Sequence, residues 1–220
     1  MAEETFYSYD PSIGHGLAHD PFNAIVGPRP IGWISSTDKS GHLNLAPYSF
    51  FNAFNYHPPI IGFSSIGWKD TVANIAETGE FVWNLTTRDL VRQMNVTSAD
   101  VAKGQSEFDL ARLGRLPGQK VGVDRVAQSP VHFECRLTQI VQLKEANGQT
   151  VESWLVLGEV IAVHIRRDLL RDGIYDTAGA APVLRAGRRG DYLAVERDAM
   201  FELLRPRSGD DVEALLHESP

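Results

Sequence analysis

The chain has 220 residues, 43% of them hydrophobic and 22% charged, proportions of a single globular domain long enough to bury a core. Its formal net charge of −7 argues against nucleic acid as a partner, because phosphate binding needs clustered cations. No apolar run suggests a membrane span, the opening Met1-Ala-Glu-Glu-Thr-Phe-Tyr lacks the basic start and apolar centre of a secretory signal, and the single cysteine, Cys135, cannot pair within the chain, so a cytoplasmic protein is expected.

Residues 1–20 carry Gly14-His15-Gly16 and Asp20-Pro21 without either periodicity and read as an irregular arm. His15 and His19 have the spacing of helical metal ligands, but the flanking glycines oppose a helix and nothing completes a ligand set, so no metal site is expected. Phe22 to Val26 and Ile31 to Ser36 read as strands about the extended corner Pro28-Arg29-Pro30. Asp38-Lys39-Ser40-Gly41 is a hairpin turn, with His42 to Ala46 as the returning strand. Pro47 to Pro59 is too rich in aromatics and prolines for one regular strand. It reads as a loop whose Tyr48, Phe50, Phe51 and Phe54 either fill the core or face a ligand. Ile60 to Ser64 is apolar without alternation, the mark of a buried strand. Asp70 to Thr78 follows as a helix, with Asp70 as cap, Val72, Ile75 and Ala76 inward and Gly79 as stop.

Phe81 to Leu85 predicts a strand and Arg88 to Val96 a short helix. Helical spacing then continues through Val101, Phe108, Leu110 and Leu113 to the break at Pro117-Gly118. Lys103, Arg112, Arg115 and Lys120 either shape an entrance for a second anionic substrate or are solvated surface. Val131 to Leu143 alternates, Phe133, Cys135, Leu137, Val141 and Leu143 on one face and His132, Glu134, Arg136 and Gln142 on the other. Asn147-Gly148 signals a hairpin into Val151 to Ile165, whose two faces are both apolar and so call for cover by a helix or a second subunit. Arg167 to Asp172 gives a helical turn, and Asp198 to Leu204 and Asp210 to His217 short helices of a tail. The expected division is an arm (1–20), a main domain (21–175) and a carboxy-terminal extension (176–220) packing on the domain or on a dimer partner.

Three apolar runs in the amino-terminal half each end in a polar cluster, a pattern suited to a ligand with a flat apolar body and an anionic tail, such as flavin mononucleotide (FMN). Ser64, Lys69, Asp70 and Thr71 stand at a strand-to-helix junction where Lys69 and the first helical amides would hold a phosphate; Asp70 suits a cap better than a contact, and Arg29 is a second cation. Ser35, Ser36 and Thr37, with Tyr48, Ser49 and Phe50, are candidates for the ribityl chain and ring edge. Trp33 would stack or pack beside the ring. Each hydroxyl has a plainer reading as strand polarity. Cys135 reads as core; His132 and His164 read as hydrogen-bonded barrel residues, one of which could approach a flavin. The chain lacks both a Gly-x-Ser-x-Gly elbow and a Gly-x-Gly-x-x-Gly fingerprint, so neither a hydrolase nor a Rossmann enzyme is supported.

Pro28-Arg-Pro-Ile-Gly-Trp-Ile-Ser-Ser, Asn44-Leu-Ala-Pro-Tyr-Ser-Phe-Phe-Asn, Lys69-Asp-Thr with Asn74-Ile, and Gly79-Glu-Phe-Val-Trp-Asn together resemble the flavin reductase family, in order from about Asp20 to Ile165. Ala180 to Tyr192 resembles the segment this family places after its barrel, with Arg188 and Arg189 where glycines are expected. The resemblance implies a mainly β fold, an FMN-binding split barrel of Greek-key type with a few helices, and a homodimer. It implies FMN as cofactor and NADH or NADPH as co-substrate, with hydride passing to flavin N5 and no catalytic side chain required. The reduced flavin would serve a partner monooxygenase or another acceptor. Alternatives within the fold are an FMN-binding electron carrier without NAD(P)H activity, the flavin-reducing component of a two-component monooxygenase, and a barrel that has exchanged flavin for haem, pyridoxal or a regulatory ligand.

Overall fold

A computed structural model describes residues 5–100 and 105–209, so the helical readings at Val101 and at Asp210 to His217, and Lys103 among the candidate entrance cations, fall outside the described residues. Seven strands form one antiparallel sheet: β2 (Gly32–Thr37), β3 (Leu43–Tyr48), β4 (Phe51–Asn55), β5 (Ile60–Ile66), β6 (Glu80–Asn84), β9 (Val131–Lys144) and β10 (Thr150–Ile165). Their order is β3-β2-β6-β9-β10-β5-β4, so the two edge strands are neighbours in sequence, joined through Ser49 and Phe50 alone. In a flat seven-stranded sheet those edges would lie about 29 Å apart, whereas a two-residue link between strand ends reaches no further than about 11 Å. The sheet therefore rolls until its edges meet, and the fold is a split β-barrel.

Arg29 fastens that seam. It stands on β1 (Arg29–Pro30), buried, and its Nε donates to the Ser49 carbonyl at 3.0 Å while its guanidinium lies 5.5 Å from the centre of the Phe50 ring. Its Nη1 donates to the carbonyls of Asn23, at 2.5 Å, and Val26, satisfying the end of α1 (Phe22–Ile25). That helix replaces the strand expected at Phe22 to Val26: the segment lies outside the sheet with Phe22 and Ile25 exposed, so its apolar residues carry no pairing signal.

Inside the roll, Ile34, Phe51, Phe63, Phe81, Cys135 and Val156 pack with Val72 and Ile75 of α2 (Asp70–Thr78). The opposite face of β2 and β3 presents Trp33 and Leu45 to a second cluster with Met94 of α3 (Val91–Val96) and Phe108 of α4 (Glu107–Leu110). Both faces of β2 are thus buried, its Ser35 and Ser36 included. The expected loop over Pro47 to Pro59 is corrected: β3 runs to Tyr48 and β4 occupies Phe51–Asn55, where pairing with β5 overrides the proline and aromatic content. The single helix expected from Ser98 to Leu113 is, among the described residues, only α4.

Short strands complete the chain: β7 (Arg115–Leu116) with β8 (Arg125–Val126), β11 (Leu170–Arg171) with β12 (Ile174–Tyr175), and, after α5 (Thr177–Ala180), β13 (Val183–Arg185) and β14 (Tyr192–Ala194). β13 pairs with β1 as well as β14, which carries residues beyond 175 back to the seam. Asp198 to Leu204, expected helical, holds only a 3-10 turn at Arg197–Ala199. The polar face assigned to His132 and Glu134 is buried, because residues 117–126 fold over it. The Glu134 carboxylate accepts N–H groups of Gln119 at 2.8 Å, Lys120 at 2.6 Å and Val121 at 3.1 Å, and is 2.6 Å from His164 Nε2. Burial alone would raise that carboxyl; the Gln119 and Lys120 amides and His164 outweigh it and hold it below the usual range. No described helix is long and apolar enough to cross a membrane, and the described residues contain no group of three potential metal ligands.

Candidate functional site

Three adjoining cavities follow β3. The middle one, about 380 Å³, is lined by Asn44, Ala46, Pro47 and Tyr48 of β3, by Lys69, Asp70 and Thr71 at the start of α2, and by Thr97 to Asp100 and Glu107 opposite. At its Asn44 end it adjoins a space of about 580 Å³ bordered by His42, Asn74 and Arg115 and rich in carboxylates. At its Tyr48 end it adjoins one of about 250 Å³ that contains Ser49, Arg185 and Arg189.

Two features give the middle cavity its character. The first is the α2 terminus. Lys69, not Asp70 as expected, holds the N-cap position with extended backbone and no side-chain cap; Asp70 is the first helical residue. The first intrahelical bond runs from Ala73 N to Lys69 O, so the amides of residues 70, 71 and 72 face outward with no acceptor among the described residues. Thr71 is buried, and its Oγ1 accepts Asn44 Nδ2 at 2.8 Å, locking the helix start to β3. The second feature is Tyr48. Its ring packs 4.4 Å from Phe63, yet its buried hydroxyl has no hydrogen-bond partner. Burial pushes that phenol above its ordinary value, although Thr71 and Ser65 stand near enough to pull the other way. A buried hydroxyl left unpaired costs about 1–3 kcal/mol; Tyr48 lines the cavity, but its hydroxyl is closed off from solvent.

Of the twelve residues singled out from sequence, Tyr48, Lys69, Asp70 and Thr71 meet in the middle cavity and Ser49 in the adjoining one. The others are placed elsewhere. Trp33 is wholly buried with its indole N–H on Thr97 Oγ1 at 2.9 Å, so it packs in the core and lines none of these three cavities. Ser35 and Ser36 lie on opposite faces of β2, because successive strand residues alternate. Ser35 Oγ donates to the Asp124 carbonyl at 2.7 Å, and Ser36 Oγ receives Asn74 Nδ2 at 3.3 Å. Thr37 Oγ1 is buried without a partner but borders none of the three cavities. Arg29 is spent on the seam, Phe50 lies beneath it, and Ser64 offers its N–H to the Phe50 carbonyl at 2.8 Å. His132 and His164 bond to the Val126 carbonyl and Glu134, and Cys135 is buried, its thiol pushed up by that burial.

Sequence reasoning missed Glu107. It is buried on a four-residue helix, accepts the Leu45 N–H at 2.9 Å, and stands in both the middle and the acidic cavity. Burial raises its carboxyl, and Asp70 adds to the effect. Nothing local in Gln105-Ser-Glu-Phe announces this role, which exists only because α4 packs on β3. Asn44 was visible within its motif, but its contact with Thr71 required the fold.

The chain is 37% identical over 194 residues to an uncharacterised protein of Deinococcus radiodurans, spanning 83% of this chain and 82% of that one. Among solved structures it is similar to nitrilotriacetate monooxygenase component B from Bacillus cereus, with TM-score 0.80 and 28% identity over 91% of this chain and 100% of the other. It is also similar to the 2-nitrobenzoate 2-nitroreductase of Pseudomonas fluorescens, with TM-score 0.73 and 26% identity over 84% and 89% of the two chains. The family model described as flavin reductase like domain matches residues 27–184, from β1 through β13, and the chain belongs to that family.

Proposed function

We propose that the groove along β3 binds FMN and that the protein is a cytoplasmic, homodimeric NAD(P)H-dependent flavin reductase. The observation that carries the reading is the coincidence, in one cavity, of three unpaired helix amides and Lys69. The amides and ammonium suit a phosphate, and Ala46, Pro47 and the Tyr48 ring suit a flat apolar body. When bound, FMN supplies the redox chemistry, accepting a hydride at N5. The residues here therefore bind and orient, which fits a middle cavity whose described lining holds neither histidine nor cysteine. Asp70, Asp100 and Glu107 in the same lining oppose a dianion, so affinity is set by a balance, with Lys69 and the helix end on the favourable side.

A second copy is supported by apolar side chains left exposed around β4, β5 and β10. Phe54, Tyr56, Ile66, Trp68 and Val163 are each at least half exposed. The similarity to a monooxygenase component B supports delivery of reduced flavin to a partner oxygenase. The test is to add FMN to purified protein, then NADH or NADPH under anaerobic conditions. Quenching of flavin fluorescence on binding, followed by bleaching of its oxidised absorbance, is expected. Absence of quenching ends the flavin reading; quenching without bleaching by either nucleotide leaves an electron carrier.

A further inference from the structure

We propose that residues 117–126 form a proton-released strap, gripped across the outer face of β2, β6 and β9 by side chains, which lifts in mild acid and loosens one wall of the acidic cavity while the barrel stays folded. The proposal does not depend on the flavin reading.

The way the strap is held sets it apart from the rest of the chain. Among the described residues it has no backbone-to-backbone hydrogen bond with the seven-stranded sheet; its ladder is β7 with β8, a separate pair. What grips it are side chains projecting from the sheet, each bonded to the strap's backbone. Ser35 Oγ donates to the Asp124 carbonyl at 2.7 Å, Glu80 accepts the Gly122 N–H at 2.8 Å, and Asn84 Oδ1 accepts the Val126 N–H at 2.8 Å. Glu134 accepts the amides of Gln119, Lys120 and Val121, and His132 Nε2 lies 2.8 Å from the Val126 carbonyl. Val121 and Val123 pack on Val82 of β6, while Pro117, Gln119, Lys120 and Gly122 are exposed. A segment with little apolar cover and no ladder to its support is the kind that opens locally.

The grip is sensitive to protons at His132 and Glu134. Around them stand Arg125 of the strap, its Nε 4.0 Å from Glu134, and His164 of β10, 2.6 Å from Glu134 and with its ring centre 6.3 Å from that of His132. Glu80 of β6 holds the strap alongside; Lys120 and Arg136 are exposed, and Asp124 is half-buried. Under the strap, His132 Nδ1 is closed off without an acceptor, so a second ring proton has nowhere to bond, and burial lowers the group from 6.5 to about 4. A lifted strap returns His132 to water and to its ordinary value. Opening therefore takes up a proton: the closed form keeps its full advantage above pH 6.5 and loses it as pH falls towards 4. Glu134, held below its usual range when closed, takes up another at lower pH.

The stem carries the motion to the groove. β7 holds Arg115, which borders the acidic cavity and pairs with Asp109 next to α4 at 2.5 Å, and β7 is paired only with β8, the last residues of the strap. Lifting the strap dissolves that pairing and frees the strand from which Arg115 projects.

The test is hydrogen exchange of the full-length protein, read by mass spectrometry at about pH 7.5 and 5.5 and corrected for the intrinsic effect of pH. Peptides covering residues 117–127 are expected to exchange at least about a hundredfold faster than the buried parts of β9 and β10 at both pH values, which marks local opening. Their corrected rate should rise about tenfold at the lower pH. Ala127, whose amide bonds to the Gly114 carbonyl at 2.9 Å, should follow and so report the stem. His132→Asn should shrink the rise below about threefold; Glu134→Gln should speed exchange at both pH values and keep the tenfold ratio. Strap protection equal to that of β9 and β10 overturns the proposal, because opening is then global unfolding. An unchanged ratio in His132→Asn overturns it too, and should that variant fail to fold, a wild-type ratio near one does the same.

Discussion

Lys69 and Glu107 face one groove with opposite charge, and their removal should move FMN affinity in opposite directions. Lys69→Ala deletes one partly solvated charge-assisted contact, so the dissociation constant should rise by the equivalent of about 1–2 kcal/mol, read by fluorescence titration. Glu107→Gln removes a repulsion while its carbonyl still accepts the Leu45 N–H, so binding should tighten roughly threefold. The sign for stability follows from the raised Glu107 carboxyl: its contribution is full below the unfolded value of 4.5 and is lost as pH rises through the folded value. Glu107→Gln should therefore match or exceed the wild type in urea midpoint at neutral pH. That Lys69, Thr71 and Tyr48 come near one another could be read from the sequence because they sit at the ends of clear elements, and the three line one cavity. Ser35 and Ser36 misled because three hydroxyls in a row imply one polar edge, whereas a strand turns alternate residues to opposite faces. Glu107 was illegible because its importance comes entirely from what α4 packs against.

Among the elements, β10 and α2 each depend on a glycine, for different reasons. A Cβ on Gly158 would lie 2.3 Å from Cε1 of the buried Phe81 ring and 3.2 Å from the Arg136 carbonyl, where β10 crosses β9 at a register shift. Neither neighbour can yield without disturbing the core, so Gly158→Ala should cost about 3 kcal/mol. Gly79 ends α2 with φ 76° and nothing within 4 Å of a Cβ, so Gly79→Ala should cost only about 1 kcal/mol of backbone strain. Chemical denaturation of the two variants separates the cases; equal losses would contradict the packing argument. The hairpin β9–β10 and helix α2 were readable because alternation, Asn147-Gly148 and a glycine stop are local signals. α1 and β4 were not. α1 is a single turn with no buried residue, held by Arg29 from another element, and β4 is a strand only because β5 pairs with it. The buried face of β9 at His132 and Glu134 was hidden for a similar reason, since the covering residues 117–126 lack regular periodicity.

For the molecule as a whole, acid sensitivity should begin at His132. It is buried, donates to the Val126 carbonyl at 2.8 Å and leaves Nδ1 unpartnered; burial, helped by Arg125 and His164 against Val126 and Glu134, lowers it from 6.5 to about 4. The unfolded chain binds that proton first, so stability is full above pH 6.5 and falls towards pH 4, by about 2 kcal/mol at pH 5. His132→Asn should start less stable at pH 7 but lose less between pH 7 and pH 5, as measured by urea midpoints. A slope equal to the wild type would remove His132 from the account. The mainly β class and the barrel could be anticipated from the order of motifs, but the sheet order could not, since sequence alone does not reveal which strands become edges. The two-residue link between β3 and β4 works as a hoop around staves: it limits how far the two edges can part, and so holds in place the strand along which the groove runs. Lengthening it would let the two edges part and shift Ser49 with them, so variation in the size of the groove should be sought in the tether as well as in the wall.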